Sequence, residues 1–409
     1  MLPLFLFGLT LFLAVLVSDL AERSVLSTAV LFLVAGFIVG PGGLDVVHVV
    51  TDAPVISEIA TLALFSTLFT DGMRVALKEL IASWKLPTRA LLLGFPLTVL
   101  GTALLAHPLA GLAWHWSFLL GAVLAPTDPV FASALVSRED LSGSLRRLLN
   151  IESGINDGLA LPLVLWLLPG GGSPGQTVHL VLPLIGGVAL GIVVPWIGDR
   201  LERSSWFQAH ESYRPMAAFA IALVVLTSAS LLHVNEFLAA FAAGVTVISL
   251  RPEISGEFRG FAQDLANLFK FGALFIFGSQ IAPALVAGLQ LGDYLFVILA
   301  LVAVRPVALL IALVGSGMDR RERLVAAWFG PKGFASVVYA ILVLQAGAPQ
   351  GDKIFHLAAL VIAVSITVHS SSDVLAARWL KRNQPEPLSS RYDQTSTAEL
   401  GAGSARSGR

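Results

Sequence analysis

The chain has no cysteine and little charge. Its 409 residues include 13% charged side chains against 56% hydrophobic ones. Without cysteine there can be no disulfide, no thiolate metal site and no cysteine nucleophile. So few charges cannot cover a soluble surface, and a mean hydropathy of +0.81 places most of that surface in lipid. A formal net charge of -1 gives no reason to expect nucleic acid as a partner. The first apolar run also lacks the basic residues that precede a signal sequence, so it reads as a retained span.

What is present is a series of apolar runs about 20 residues long, the length that crosses a bilayer as a helix. Thirteen can be drawn: Leu2 to Ser18, Ser27 to Val47, Pro54 to Met73, Ala90 to His107, Trp114 to Val136, Leu148 to Leu168, Leu180 to Gly198, Pro215 to His233, Glu236 to Ser249, Leu265 to Ala287, Tyr294 to Gly315, Val325 to Gln345 and Ile354 to Leu375. The fold class is therefore all-α, a polytopic membrane protein of about 13 transmembrane helices. A membrane domain fills residues 1–382. Residues 383–409, rich in Ser, Gly, Pro and Gln, read as a disordered cytoplasmic tail.

Lys and Arg test this partition, because they stay on the cytoplasmic side of a span. Of 26 such residues, 22 fall in the loops after odd-numbered segments or in the C-terminal end. The opposite loops hold Lys353, and Lys270, Arg305 and Lys332 lie inside segments. The expected topology has the N-terminus outside and the C-terminus in the cytoplasm, in a cell membrane.

Ionisable residues inside a membrane are costly, and they mark function. Segment 5 carries Pro126-Thr127-Asp128-Pro129, where two prolines should unwind the helix around an acid. Segment 12 carries Gly330-Pro331-Lys332-Gly333. These segments run in opposite directions, and paired interrupted helices of that kind point to inverted repeats with two discontinuous crossing helices and an ion site at the midplane. Asp128 and Lys332 suit the N-terminal and C-terminal half-helix ends respectively. In segment 6, Glu152, Ser153, Asn156 and Asp157 form two polar stripes, Ser153 with Asp157 and Glu152 with Asn156. Oxygen ligands near Asp157 suit a small dehydrated cation. Arg305 cannot shed its proton, so Glu152 is its expected partner in a structural ion pair.

Together, Thr127-Asp128-Pro129, Glu152 to Asp157, Arg305-Pro306 and Gly330 to Gly333 resemble the sodium/proton antiporters of the NhaP and eukaryotic exchanger branch. The resemblance spans nearly the whole chain. It implies a homodimer, with a core bundle holding both broken helices that moves against a dimerisation domain. It also implies that Asp157 binds cation or proton, that Ser153 and the Thr127 region add oxygens, and that Asn156 steadies Asp128. Asp71 matches an acidic ligand position of some prokaryotic members, or is only a charge at the cytoplasmic end. Lys332 replaces the arginine of many relatives. Lys270 either snorkels to the cytoplasm or alters ion coupling.

The expected activity is secondary transport without a cofactor, exchanging sodium, lithium or potassium for protons in pH homeostasis. Electrogenic relatives carry a second aspartate before the binding one. Here that neighbour is Asn156, so the expected stoichiometry is electroneutral, one to one. The alternative is a proton- or sodium-coupled symporter of a small organic solute. An aspartyl hydrolase using Asp128 and Asp157 fits poorly with a carboxylate set between prolines, so no enzyme is expected.

Overall fold

The structure is a computed structural model that describes residues 1–18, 28–47, 54–128, 142–169, 177–204, 214–252, 256–281 and 288–381. The tail after 382, Pro129 and the remainder of segment 5 lie outside the described residues. In chain order the helices are α1 (Leu2–Leu16), α2 (Thr28–Val39), α3 (Pro54–Gly72), α4 (Leu77–Ser83), α5 (Lys85–Ala110), α6 (Trp114–Leu124), α7 (Gly143–Leu167) and α8 (Thr177–Glu202). They continue as α9 (Arg214–Leu231), α10 (Glu236–Leu250), α11 (Gly256–Gln280), α12 (Leu291–Ala312), α13 (Arg320–Trp328), α14 (Phe334–Gln345) and α15 (Gly351–Lys381).

Each apolar segment meets a helix, and the differences have physical causes. Helix α4 was not expected, because a short helix carrying Lys78 and Glu79 gives no apolar signal. Helices α7, α11 and α15 run beyond their apolar stretches, since backbone hydrogen bonds continue a helix past the lipid. Among the described residues, four runs, Lys85–Ala110, Val181–Glu202, Leu291–Ala312 and Gly351–His369, are long and apolar enough by themselves to cross a membrane. Helices α7 and α11 are each 25 residues long but carry polar side chains in mid-course.

Helices α5 and α12 each widen into a π turn, at Ala90–Gly94 and at Ala300–Val304. Both turns lead directly to a proline, Pro96 and Pro306. Proline lacks an N–H and its ring collides with the carbonyl four residues back, so the extra residue relieves the clash. In α12 the turn is followed at once by Arg305.

Packing sorts the helices into two bundles. In one, α10 lies against α3, α8 and α9, while α11 lies against α2 and α3. In the other, α5 packs on α6 and α12, α6 on α7, α12 on α13, and α14 on α15. Apolar burial gives little drive inside lipid, so small residues set these crossings. Gly72 and Gly244 meet where α3 crosses α10: a Cβ on Gly72 would strike the Phe241 carbonyl, and one on Gly244 the Phe69 carbonyl. Large apolar side chains face outward on α1, α5 and α8, including Phe5, Leu92 and Leu182. At one end of α8, Asp199 accepts from Arg203 and from Arg251 beyond α10, each at 2.8 Å.

Candidate functional site

The two breaks meet. Helix α6 stops at Leu124, and Ala125 to Asp128 are not helical, as Pro126 dictates. Helix α13 stops at Trp328 and α14 resumes at Phe334. The Asp128 N–H donates to the Pro331 carbonyl at 3.0 Å, joining the interruptions through main chain. Gly333 is required here, because a Cβ would overlap the Asp128 side chain. The Lys332 N–H donates to Ser365 Oγ on α15 at 2.8 Å. His369, one turn further along α15, sets Nε2 3.1 Å from the Trp328 carbonyl.

Around this joint, the expected site residues come together. Ser153 Oγ donates to the Thr127 carbonyl at 2.6 Å, and Asn156 Nδ2 donates to Thr127 Oγ1 at 2.9 Å. Asn156, which the resemblance casts as steadying Asp128, thus braces the break one residue earlier. Tyr339 on α14 donates to the main-chain oxygen of Asp157 at 2.5 Å. The Asp157 side chain is buried, and its Oδ1 has no hydrogen-bond partner among the described residues. An acid oxygen held in that way attracts whatever positive charge can reach it. A small cleft lined by Thr127, Glu152, Ser153, Arg305, Gly330 and Pro331 lies beside the Ser153 and Thr127 oxygens.

The other acids have resident cations. Arg305 Nη2 reaches both oxygens of Glu152, at 2.8 and 3.1 Å, so this pair forms as the sequence suggested. Arg305 Nη1 also donates to the carbonyls of Ala326 at 3.0 Å and Ala327 at 3.3 Å. These are freed carbonyls at the end of α13, the half-helix end assigned from sequence to Lys332. Lys332 is itself buried within the break. Asp71 is buried on α3, with Arg74 Nη1 3.1 Å from Oδ1, a charge contact without hydrogen-bond alignment. Lys270 does not snorkel. Its side chain is buried, and Nζ lies 3.5 Å from Asp128 Oδ2.

The family model described as sodium/hydrogen exchanger, transmembrane, matches residues 8–377. The chain belongs to this family. Among relatives of the exchanger, the K(+)/H(+) antiporter NhaP of Alkalimonas amylolytica is 26% identical over 401 residues, covering 93% of this chain and 67% of that protein. The K(+)/H(+) antiporter NhaP2 of Shewanella sp. (strain MR-4) is 24% identical over 388 residues, covering 92% and 66%. The exchanger therefore spans about two thirds of the length of these relatives. The structure of the sodium proton antiporter MjNhaP1 from Methanocaldococcus jannaschii at pH 8 matches with a TM-score of 0.76 and 20% identity, over 93% of this chain and 97% of that one. The fold is thus that of a polytopic antiporter, and family and relatives support cation/proton exchange over solute symport.

Three residues of the exchanger's site were not visible in sequence. Tyr339 and Ser365 hold main-chain atoms of Asp157 and Lys332, and Ser336 is buried on α14 with no hydrogen-bond partner for its hydroxyl among the described residues. Serines and tyrosines are ordinary in membrane helices, so only their position marks these. Tyr339 follows Ser336 by three residues, the spacing that puts both on one helix face.

Proposed function

We propose that the exchanger moves one monovalent cation, sodium, lithium or potassium, against one proton, with Asp157 as the carboxylate that both ligands share. The observation that carries this reading is the buried Asp157 oxygen without a hydrogen-bond partner among the described residues, beside Ser153 and the Thr127 turn. Glu152 and Asp128 stand next to buried Arg305 and Lys270, and Asp71 next to Arg74. Asp157 is then the acid that exchanges ligands, while Asp128 and Asp71 shape the field around it. Asn156 cannot titrate, so each cycle carries one positive charge either way. Alternating access is a movement of the bundle containing α6, α7 and α12 to α15 against the one containing α2, α3, α10 and α11. As the family resemblance implies, the working unit is a homodimer in the cell membrane, with its C-terminus in the cytoplasm and a role in pH homeostasis.

The experiment is cation-driven proton flux in proteoliposomes. Asp157→Asn should abolish flux for every cation while the purified protein keeps its elution profile and helical content, because an amide cannot release a proton. Flux near the wild-type rate in that variant would overturn the reading.

A further inference from the structure

Between the end of α3 at Gly72 and the start of α5 at Lys85 the chain stays at one face of the membrane, and there it forms α4. Pro87 sets where α4 stops. Its ring would meet the carbonyl of Ser83, four residues back, so α4 ends at Ser83 and the spanning helix α5 begins anew at Lys85. The Leu77 N–H donates to Ser249 Oγ at the end of α10, at 2.8 Å, and α4 packs on both α7 and α10. Its outer side is apolar: Leu77, Ile81 and Trp84 are 47%, 64% and 54% exposed. At 3.6 residues per turn their spacing of four and three places them in one narrow stripe, and Trp84 keeps right-handed helical backbone, so the register holds to that point. In the same register Lys78 and Lys85 fall along one edge of the stripe and Glu79 on the far side, all three exposed. The outward apolar surface continues on α5 with Leu92 and Leu93.

We propose that α4 lies in the plane of the bilayer interface, with Leu77, Ile81 and Trp84 among the upper acyl chains and Lys78 and Lys85 on the headgroups of anionic phospholipid. Three side chains are too few for a stable contact with a second copy, which takes some 20 residues a side or more. An apolar stripe with a tryptophan, edged by lysines, is instead the composition of a helix lying in an interface. The charges agree in sign. From Leu77 to Arg89 there are three basic residues, Lys78, Lys85 and Arg89, against one acid, Glu79. Arg89 Nη1 is already given to the Val314 carbonyl at 2.9 Å, which leaves the two lysines to meet headgroups. A lysine stem is long enough to hold the ammonium at phosphate level while the stripe stays below it. The lipid thus covers a face that water would otherwise meet, at the place where α7 and α10 adjoin.

The test uses the full chain in vesicles of phosphatidylcholine and phosphatidylglycerol. Because the chain has no cysteine, a bimane fluorophore on Ile81→Cys or on Glu79→Cys reports a single position. Leu77→Cys replaces Ile81→Cys if that variant reconstitutes poorly. Lipid brominated near the top of its acyl chains should quench the Ile81 label, and iodide in the water should not; the Glu79 label should respond the other way round. Bromine carried on phosphatidylglycerol should quench the Ile81 label more than the same amount carried on phosphatidylcholine, with a relative affinity of up to about fivefold for each lysine that meets a headgroup. Lys78→Gln with Lys85→Gln should bring that ratio to about one, and arginine at both positions should keep it. Quenching of the Ile81 label by iodide would overturn the placement of the stripe in lipid. A label shielded from both quenchers would mean that protein, such as a second copy, covers the face, and would overturn lipid as its occupant. Equal quenching by the two lipids, or a preference that survives in the double glutamine variant, would overturn the role of the lysines. None of these readings depends on Asp157 or on transport.

Discussion

Replacing Arg305 by alanine tests the most heavily bonded side chain of the site. Its guanidinium gives one nitrogen to both Glu152 oxygens and another to the carbonyls of Ala326 and Ala327, with 4% of the residue exposed. Truncation strands Glu152 as a buried charge, and breaking such a pair from one side costs about 3 to 5 kcal/mol. It also leaves the α13 carbonyls short of a donor, at about 1 kcal/mol or more each. Adding Glu152→Gln removes the stranded charge but restores nothing to the carbonyls, so the double variant should recover roughly half of the loss. Arg305→Lys keeps a charge without the planar fork and should fall between wild type and alanine. Unfolding free energies from titration with a denaturing detergent provide the measurement. A double variant no more stable than Arg305→Ala would show that Glu152 and Arg305 do not act as partners.

Two further outcomes are expected. Because cation and proton share Asp157, apparent cation affinity should fall as pH drops while maximal flux changes far less, in proton-flux titrations at several pH values; an affinity that does not move with pH would mean separate sites. Gly244→Ala should destabilise the protein by about 1 to 3 kcal/mol in the same unfolding titration, because its Cβ would press on Phe69 backbone that cannot swing aside; unchanged stability would show that α3 and α10 can separate at little cost.

Much of the site could be read from sequence because its residues break the apolar pattern. Asp128, Asp157, Glu152, Arg305 and Lys332 are charges inside segments that otherwise exclude them, and prolines mark the two breaks. The pairing of Glu152 with Arg305 followed because a buried guanidinium must find an acid. The pairing of Lys270 with Asp128 did not follow, since sequence does not say which face of α11 meets the break, and a lysine has the reach to leave the membrane as easily as to enter the site. The π turns were also hidden. Proline announces a disturbance but not its form, and only the fold shows the widened turn before Arg305. Ser365 and His369, which hold the second break from α15, look from sequence like any polar residues on a long helix.

The bond from the Asp128 N–H to the Pro331 carbonyl involves no side chain. Substitution at either position leaves its donor and acceptor in place, so the joint is written into backbone geometry while the chemistry around it is written into side chains. The two can change independently. A change of side chain at Thr127, Ser153 or Lys270 leaves the donor and acceptor of this bond in place. The joint also has few ways to give: with the interruptions tied to each other, displacement of one drags the other along. Travel must then be taken up at the seams between bundles, where α7 meets α10 and α3 meets α14.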